Sequence, residues 1–576
     1  MQTTTDSRET RLPDLFSESD GIDHAPDEMV LVGPPGTGKT TAVLTHFLLP
    51  AVERWTSGAI LGCSFTRAAA EEMRDRLAAK TSRLSDRELR SVCSTIHSEA
   101  FRLCRLAGYK TLWNQQKKKD EGSEQEPDFG GWEAMKEERK ERRSEAERLW
   151  SLARYLRPQD LVMPPATYDR HGISVLLTRA LSRCSERSRF MFDEIVTEVM
   201  VYESDKRAAG AIDFCDMLAF ALHLPFPDRE LLVVDEAQDL SPLQIALIRR
   251  WAGGAKRLVW VGDPDQGIYA FAGADGAALT ALLEDEIVRS RRLGQSYRVP
   301  QAAHEMARDV ILRNVHRVDA PYLPMEEPGI VVEFAGPQAA LREALAGAGD
   351  VFILGRSARV LDDYAQILVE TGEPFARERG GGSPLRQKDL ISIVTVLNDL
   401  RADLSVSTDA ALTLVDALKA KPKGLRFTGT KKAAAAALKA SGEQGGGMVS
   451  RMDMERAGVV TGPIMDHKSL DDCLDEIGLA EAAEPLFRII RRHGIGALEA
   501  KPRVVLTTMH SSKGREADTV LVDLYAPYPT RRTAAISDQD GIEDERRVLY
   551  VALTRTRDAL LLVRRDWNED LLRLLG

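Results

Sequence analysis

Cysteine is scarce and scattered in this 576-residue chain: six residues, at 63, 93, 104, 184, 215 and 473, with no C-x-x-C pair. That distribution points away from a disulfide scaffold, a zinc site or an iron–sulfur cage, and it suits a reducing cytoplasm, where the protein is expected. Long apolar runs are missing too, so neither a membrane-spanning helix nor a membrane partner is expected. Met1-Gln2-Thr3-Thr4-Thr5-Asp6 lacks the basic, apolar and small-residue series of a secretory signal. Positive charge is not in excess, since 78 Lys and Arg against 88 Asp and Glu leave a formal net charge of −10. Overall sign does not exclude nucleic acid, because binding follows the local field of a groove. There is no fixed-period repeat and no nuclease constellation. The length itself exceeds what one core sustains, so several domains are expected.

What is present is specific. Gly33-Pro34-Pro35-Gly36-Thr37-Gly38-Lys39-Thr40 fits the pattern G-x-x-x-x-G-K-[ST]. The apolar run Met29-Val30-Leu31-Val32 before it reads as a strand, and Thr41 to Leu49 after it can be a helix. Closely spaced glycines let the backbone bend around phosphate oxygens, and successive N–H groups with the helix N-terminus supply partial positive charge. In that role Lys39 reaches the β- and γ-phosphates and the Thr40 hydroxyl ligates Mg²⁺. A chance Gly/Pro-rich turn is the alternative, and it does not require strand, loop and helix in this order.

A second element supplies acid. The buried-strand pattern Leu231-Leu232-Val233-Val234 ends in Asp235-Glu236-Ala237-Gln238-Asp239. Beside a P-loop, Asp235 is the candidate metal ligand and Glu236 the base that orients or deprotonates the attacking water. Alone, the same pattern could be a strand running into an acidic helix cap. A further strand, Lys256 to Val261, leads to Gly262-Asp263-Pro264-Asp265-Gln266, which puts the Gln266 amide where it can sense a γ-phosphate or water. Tyr269 and Phe271 follow, either as core or as a stacking surface for a base. Tyr297 can pack on a nucleobase and Arg298 can clamp phosphate oxygens. Arg555, in the apolar stretch Val548 to Arg557, is the candidate arginine finger; its alternative is salt bridging to Glu543, Asp544 or Glu545.

Strand-and-helix patterns recur at Ala59 to Ser64, Ala68 to Leu77, Ile330 to Phe334, Val351 to Leu354 and Lys501 to Leu524. Between them lie a charge-rich stretch beginning at Lys117, a mixed-charge helix from about Trp132 to Trp150 expected to be a solvated face, and a helical, irregular region near 396–500. In the last, the glycines from Gly442 to Gly447 are expected to mark a loop. The layout is two α/β cores, each interrupted by a mostly helical insertion.

In this order and spacing the motifs resemble those of superfamily 1A DNA helicases of the UvrD/Rep/PcrA type. Ser64-Phe65-Thr66-Arg67 and Ser94-Thr95-Ile96-His97-Ser98 resemble the family's early DNA-contact motifs, and Thr507 to Glu516 resembles its fifth motif. Asp213-Phe214-Cys215-Asp216-Met217-Leu218 resembles a segment found before the acidic strand. The resemblance implies two RecA-like P-loop motor domains with parallel sheets, each carrying a mostly helical inserted subdomain. It divides the chain into 1–100 and 196–290 for the first motor domain, with 101–195 inserted, and 291–395 and 501–576 for the second, with a compact insertion at 396–500. It implies ATP and Mg²⁺ bound in the cleft, with Glu516 on the ribose hydroxyl. DNA would be met by Phe65, Arg67, His97, Tyr269, Phe271, His510, Ser511 and Lys513.

The implied activity is ATP-driven 3′-5′ translocation on single-stranded DNA with duplex unwinding. Its partners would be single strands and duplex junctions, with repair or replication proteins and the oligomeric state left open. A translocating subunit that does not unwind and a non-catalytic P-loop scaffold are the rival readings. Three departures from the family pattern stand out: no glutamine motif precedes the P-loop, Arg67-Ala68 replaces an Asn-Lys pair, and Ala272 replaces an arginine.

Overall fold

A computed structural model describes residues 27–109, 113, 132–158, 161, 168–182, 188, 190–378, 382–418, 425–462, 469–527, 530–531, 538–565 and 569–576. The polar N-terminal segment and the Lys117 charge run lie outside these residues. Six strands form the first sheet: β1 (Glu28–Val32), β2 (Ile60–Ser64), β3 (Cys93–Thr95), β4 (Leu231–Asp235), β5 (Leu258–Gly262) and β6 (Arg289–Arg292). Their order is β3-β2-β4-β5-β1-β6 and every pairing is parallel.

The strands read as unbroken apolar runs because helices cover both faces. Successive side chains of β1 enter opposite cores, with Met29 and Leu31 meeting Phe47 and Val261 on one face. Val30 and Val32 meet Leu61, Trp251 and Trp260 on the other.

The second sheet contains β7 (Ile330–Phe334), β8 (Val351–Gly355) and β9 (Phe375–Arg377), and, after an insertion, β14 (Val504–Thr508), β15 (Ala517–Asp523) and β16 (Thr556–Val563). Its order, β7-β16-β15-β8-β14-β9, is again wholly parallel. The insertion between β9 and β14 has its own core, including Val394, Leu397, Leu414, Leu438, Leu474 and Leu486. It also contains two short antiparallel ladders, β10 (Val406–Ser407) with β12 (Met448–Val449), and β11 (Arg426–Phe427) with β13 (Val459–Val460). Among the described residues, the regular elements of the insertion between β3 and β4 are all helices. The fold is therefore the expected pair of parallel α/β cores with helical insertions. Among the described residues, no helix is long and apolar enough to cross a membrane.

Several local expectations need correction. The expected divisions at 195/196 and 395/396 fall inside helices Phe192–Ala208 and Lys388–Arg401. Val196, Val199 and Tyr202 pack into the first insertion's core, and Ile393 and Val394 into the second's. Likewise 290/291 falls inside β6, which pairs with β1. The mixed-charge helix runs from Trp132 to Leu156 and is not a solvated face at its C-terminal end, where Trp150 and Arg154 are buried. Gly442 belongs to helix Lys431–Gln444, because a side chain there would collide with Thr408. The helix after the P-loop begins at Lys39 and passes through a widened π-type turn at Leu44–Leu48. Pro50, lacking an N–H, cannot complete the ordinary ladder there.

Candidate functional site

The P-loop, the acidic pair and the Gln266 turn leave the C-terminal ends of β1, β4 and β5, the edge where open parallel sheets bind ligands. Gly36 and Gly38 take left-handed φ of 76° and 80°, a conformation that favours glycine. A Cβ at Gly36 would lie 2.6 Å from both Arg298 Cβ and Ser296 Oγ, so its bare backbone admits the segment that leads into the second lobe. That segment is fastened to the loop. Ser296 Oγ donates to the Pro35 carbonyl at 3.0 Å, and the Tyr297 N–H donates to the Gly36 carbonyl at 2.8 Å. Lys39 Nζ folds onto the Gly33 carbonyl. Burial lowers its pKa, while Asp263, Glu236 and Asp235 pull the other way.

Asp235 closes β4, fully inside the core, and its Oδ1 accepts the Glu236 N–H at 2.9 Å. Burial and the neighbouring Glu236 raise its pKa to about 7. A strand-end carboxylate beside a P-loop that ends in the Thr40 hydroxyl suits Mg²⁺, which takes few protein ligands and completes its shell with phosphates and water. Glu236 has φ of 55°, a strained value for a side-chain-bearing residue. Burial alone would raise its pKa, but Lys513, Lys39 and a hydrogen bond from Gln238 outweigh it, so the net shift is downward and the carboxylate stays ionised. Gln238, in the segment that the family resemblance implies couples the two sites, joins the motifs: its Oε1 accepts the Asp263 N–H at 3.0 Å. Asp263 in turn accepts from Gln266 Nε2 at 2.7 Å, which fixes the sensor amide.

The second lobe brings cations to this cluster. Arg555 lies just past helix Gln539–Leu553, not within it, and is 1% exposed. Its guanidinium donates to neutral oxygens: Val551 O at 2.8 Å, Thr554 Oγ1 at 3.1 Å, Arg515 O at 3.4 Å and Gln266 Oε1 at 3.4 Å. The carboxylates offered as its alternative partners are engaged elsewhere, Glu543 with the Val315 and His316 amides, Asp544 with Arg547, and Glu545 with Arg356. Burial and the nearby Arg298 charge push the Arg555 pKa down to about 9. A buried cation held by neutral groups is the donor set that an incoming phosphate fits. Arg298 is ion-paired with Glu516, which also lies 3.6 Å from Arg557. Glu516 and Arg298 thus compensate each other at the mouth of the cleft.

The residues expected on DNA divide. Phe65, Tyr269, Phe271 and His510 form a row, with successive ring centroids 5.4, 6.0 and 5.4 Å apart. Phe271 is 61% exposed, while Phe65 and Tyr269 are half-buried against the two cores, so the row runs from core edge to surface. Arg67 is exposed at the start of helix Arg67–Lys80, and Ser511 is bonded to Thr508 Oγ1. His97 is different: its Nε2 lies 3.1 Å from Tyr155 Oη and its ring packs edge-on against Phe214. Burial lowers its pKa to about 4, so it offers no positive charge to a phosphate at neutral pH.

Lys513, expected on DNA, is placed at the acidic pocket. Its side chain is 6% exposed and its ammonium is held by Asp239, with the Gln266 carbonyl at 2.7 Å and Glu236 Oε2 at 3.6 Å. It faces the acidic pocket because two buried first-lobe carboxylates need a cation more than the surface does.

Asp213 and Asp216 anchor the first insertion. Asp213 caps helix Phe214–His223 and accepts from Arg154 at 2.7 Å, Lys206 at 2.9 Å and Tyr202 at 2.9 Å. Arg154 also reaches Asp216 at 3.0 Å, so the joint between insertion and core is a buried charge network.

A family model described as the UvrD/REP helicase N-terminal domain matches residues 17–286. One described as the UvrD-like helicase C-terminal domain matches residues 471–565. Among curated proteins, the ATP-dependent DNA helicase UvrD2 of Mycobacterium tuberculosis is 26% identical over 590 residues, covering 94% of this chain and 78% of that protein. The ATP-dependent DNA helicase UvrD1 of the same organism is 25% identical over 673 residues, covering 95% and 82%. Among solved structures, the PRRSV helicase aligns over 93% of this chain and 52% of that chain at 10% identity, with a TM-score of 0.31, a likeness too slight to build on.

Proposed function

Because the chain belongs to the UvrD/Rep family of superfamily 1 DNA helicases, we propose that it is an ATP-dependent motor that moves 3′-5′ along single-stranded DNA and separates duplex ahead of it. The observation that carries this reading is the meeting of the P-loop, the acidic pair and the glutamine turn of one lobe with a buried arginine of the other. Lys39, Asp235, Glu236 and Gln266 come from the first, and Arg555 reaches to 3.4 Å of Gln266 from the second.

With ATP in the cleft, P-loop amides and Lys39 would hold the β- and γ-phosphates, Lys39 leaving the Gly33 carbonyl to do so. Thr40 and Asp235 would hold Mg²⁺, which screens phosphate charge and orients the γ-phosphate when bound. Glu236 accepts a proton from the attacking water, with Gln266 fixing that water's position. As the bond from the γ-phosphorus to the bridging oxygen breaks, Arg555 and Arg298 stabilise the charge that develops on the departing groups. Tyr297 lies beside the loop for base contact, and Glu516 can exchange Arg298 for the ribose hydroxyl. Release of phosphate removes the anion that both lobes grip, and the lobes part.

The aromatic row supplies the strand-facing half of the cycle. Bases stack on Phe271 and its neighbours with little sequence preference, because every base has a π-face. Alternating grip by the Phe65 side and the His510 side would advance the strand as the cleft opens and closes. The test is ATP turnover with and without single-stranded DNA, with RNA as the comparison. Strong stimulation by DNA supports the motor. Turnover indifferent to DNA would leave a P-loop scaffold, and movement without strand displacement would leave a translocating subunit.

A further inference from the structure

The short turn His510–Ser512, followed at once by Lys513, touches two places that the proposed cycle must connect. At its start the His510 ring meets Phe271 edge-on, with centroids 5.4 Å apart, at the exposed end of the aromatic row. At its end Lys513 passes 5.4 Å over the Tyr269 ring and delivers its ammonium to Asp239, the Gln266 carbonyl and Glu236. Among the described residues, no other Lys or Arg lies within ion-pair distance of Asp239 or Glu236. Both carboxylates belong to the first lobe and Lys513 to the second, so its ammonium reaches Asp239 and Glu236 only while the lobes are together, whereas Lys39 acts on Glu236 from within the first lobe. Removing one partner of such a buried pair leaves an uncompensated charge.

We propose that Lys513 is a positioning residue that links strand binding to hydrolysis: a base stacked on Phe271 fixes the His510 turn, and the turn seats the Lys513 ammonium that holds Glu236 in its working position. This rests on the reading of the protein as a DNA-stimulated ATPase. Lys513 acts through the carboxylates of Asp239 and Glu236, with the Gln266 carbonyl as a third anchor that keeps the sensor loop in register.

The test compares the parent with Lys513→Met and with the double variant Asp239→Asn/Lys513→Met, in which the Asp239–Lys513 pair is removed whole and Glu236 keeps the Lys39 charge. ATP turnover is measured with and without oligo(dT), alongside thermal midpoint. In Lys513→Met, the oligo(dT)-stimulated kcat is expected to fall about tenfold or more while KM for ATP moves less than about threefold. In the double variant the thermal midpoint is expected to return to the parent value and the stimulated kcat to stay low. A merely structural ion pair would recover both, and that result overturns the proposal. So does a Lys513→Met enzyme with the parent's ratio of stimulated to basal rate. A parent that oligo(dT) fails to stimulate would instead overturn the motor reading, and this inference with it.

Discussion

Arg555 donates across the interlobe cleft to Gln266, Nη2 to Oε1 at 3.4 Å, and among the described residues no carboxylate makes a direct ion pair with it. A buried guanidinium in that position is costly to the folded protein and useful to a phosphoryl transfer. Replacing Arg555 with alanine is expected to lower kcat by about a thousandfold, the order of an arginine finger. ATP affinity should change little by comparison, since the P-loop holds most of the nucleotide. Single-turnover hydrolysis beside equilibrium nucleotide binding checks this, and a rate close to the parent's would remove Arg555 from the chemistry.

Lys39 and Glu236 should separate binding from turnover. Lys39→Ala removes the ammonium that faces the phosphates and is expected to abolish hydrolysis. Glu236→Gln keeps shape and hydrogen bonding but cannot take a proton, so ATP binding should survive while kcat drops by roughly 10²–10⁴. Full turnover in the glutamine variant would mean that another group serves as base.

Phe271 is largely exposed, so its loss should not disturb the core. Phe271→Ala is expected to raise the single-stranded DNA concentration needed for half-maximal stimulation by about tenfold, corresponding to one stacked base at roughly 1–3 kcal/mol. Thermal midpoint should be unmoved. A fall in stability with unchanged DNA dependence would mark it as a packing residue.

His97 makes a prediction about pH. Its folded pKa of about 4 lies below the ordinary histidine value, so the folded protein favours the neutral ring held against Tyr155 and Phe214. The stability this confers is complete above the unfolded pKa, about 6.5. It is lost as pH falls from there toward 4. His97→Phe should therefore lose less thermal stability than the parent between pH 6.5 and 4.5. Identical pH dependence in the two proteins would show that the ring titrates normally.

Much of the nucleotide grip is legible in the chain because it is local. A strand, a glycine-rich turn and a helix must be contiguous for Lys39 and Thr40 to face phosphates, and Asp235 must end a buried strand. Cross-lobe contacts carry no such local signature. Lys513 meets Asp239 across 274 positions and Arg555 meets Gln266 across 289. A lysine in a Ser-Ser-Lys-Gly turn looks equally suited to a surface phosphate or a buried acid, and only the fold decides. His97 was open to the same ambiguity, since a histidine beside a strand end reads as a contact until Tyr155 and Phe214 close over it. The buried Arg154 is hidden for another reason: the charge pattern of its helix resembles a solvated face, and its partners Asp213 and Asp216 lie 59 and 62 positions away.

The most direct test of a motor driven from this cleft is strand displacement on two matched duplexes, one with a 3′ single-stranded tail and one with a 5′ tail, in the presence of ATP and Mg²⁺. The expected result is separation of the 3′-tailed duplex, little of the 5′-tailed one, and none of either by Glu236→Gln. Equal separation of both substrates, or separation that survives the Glu236 substitution, would contradict the account.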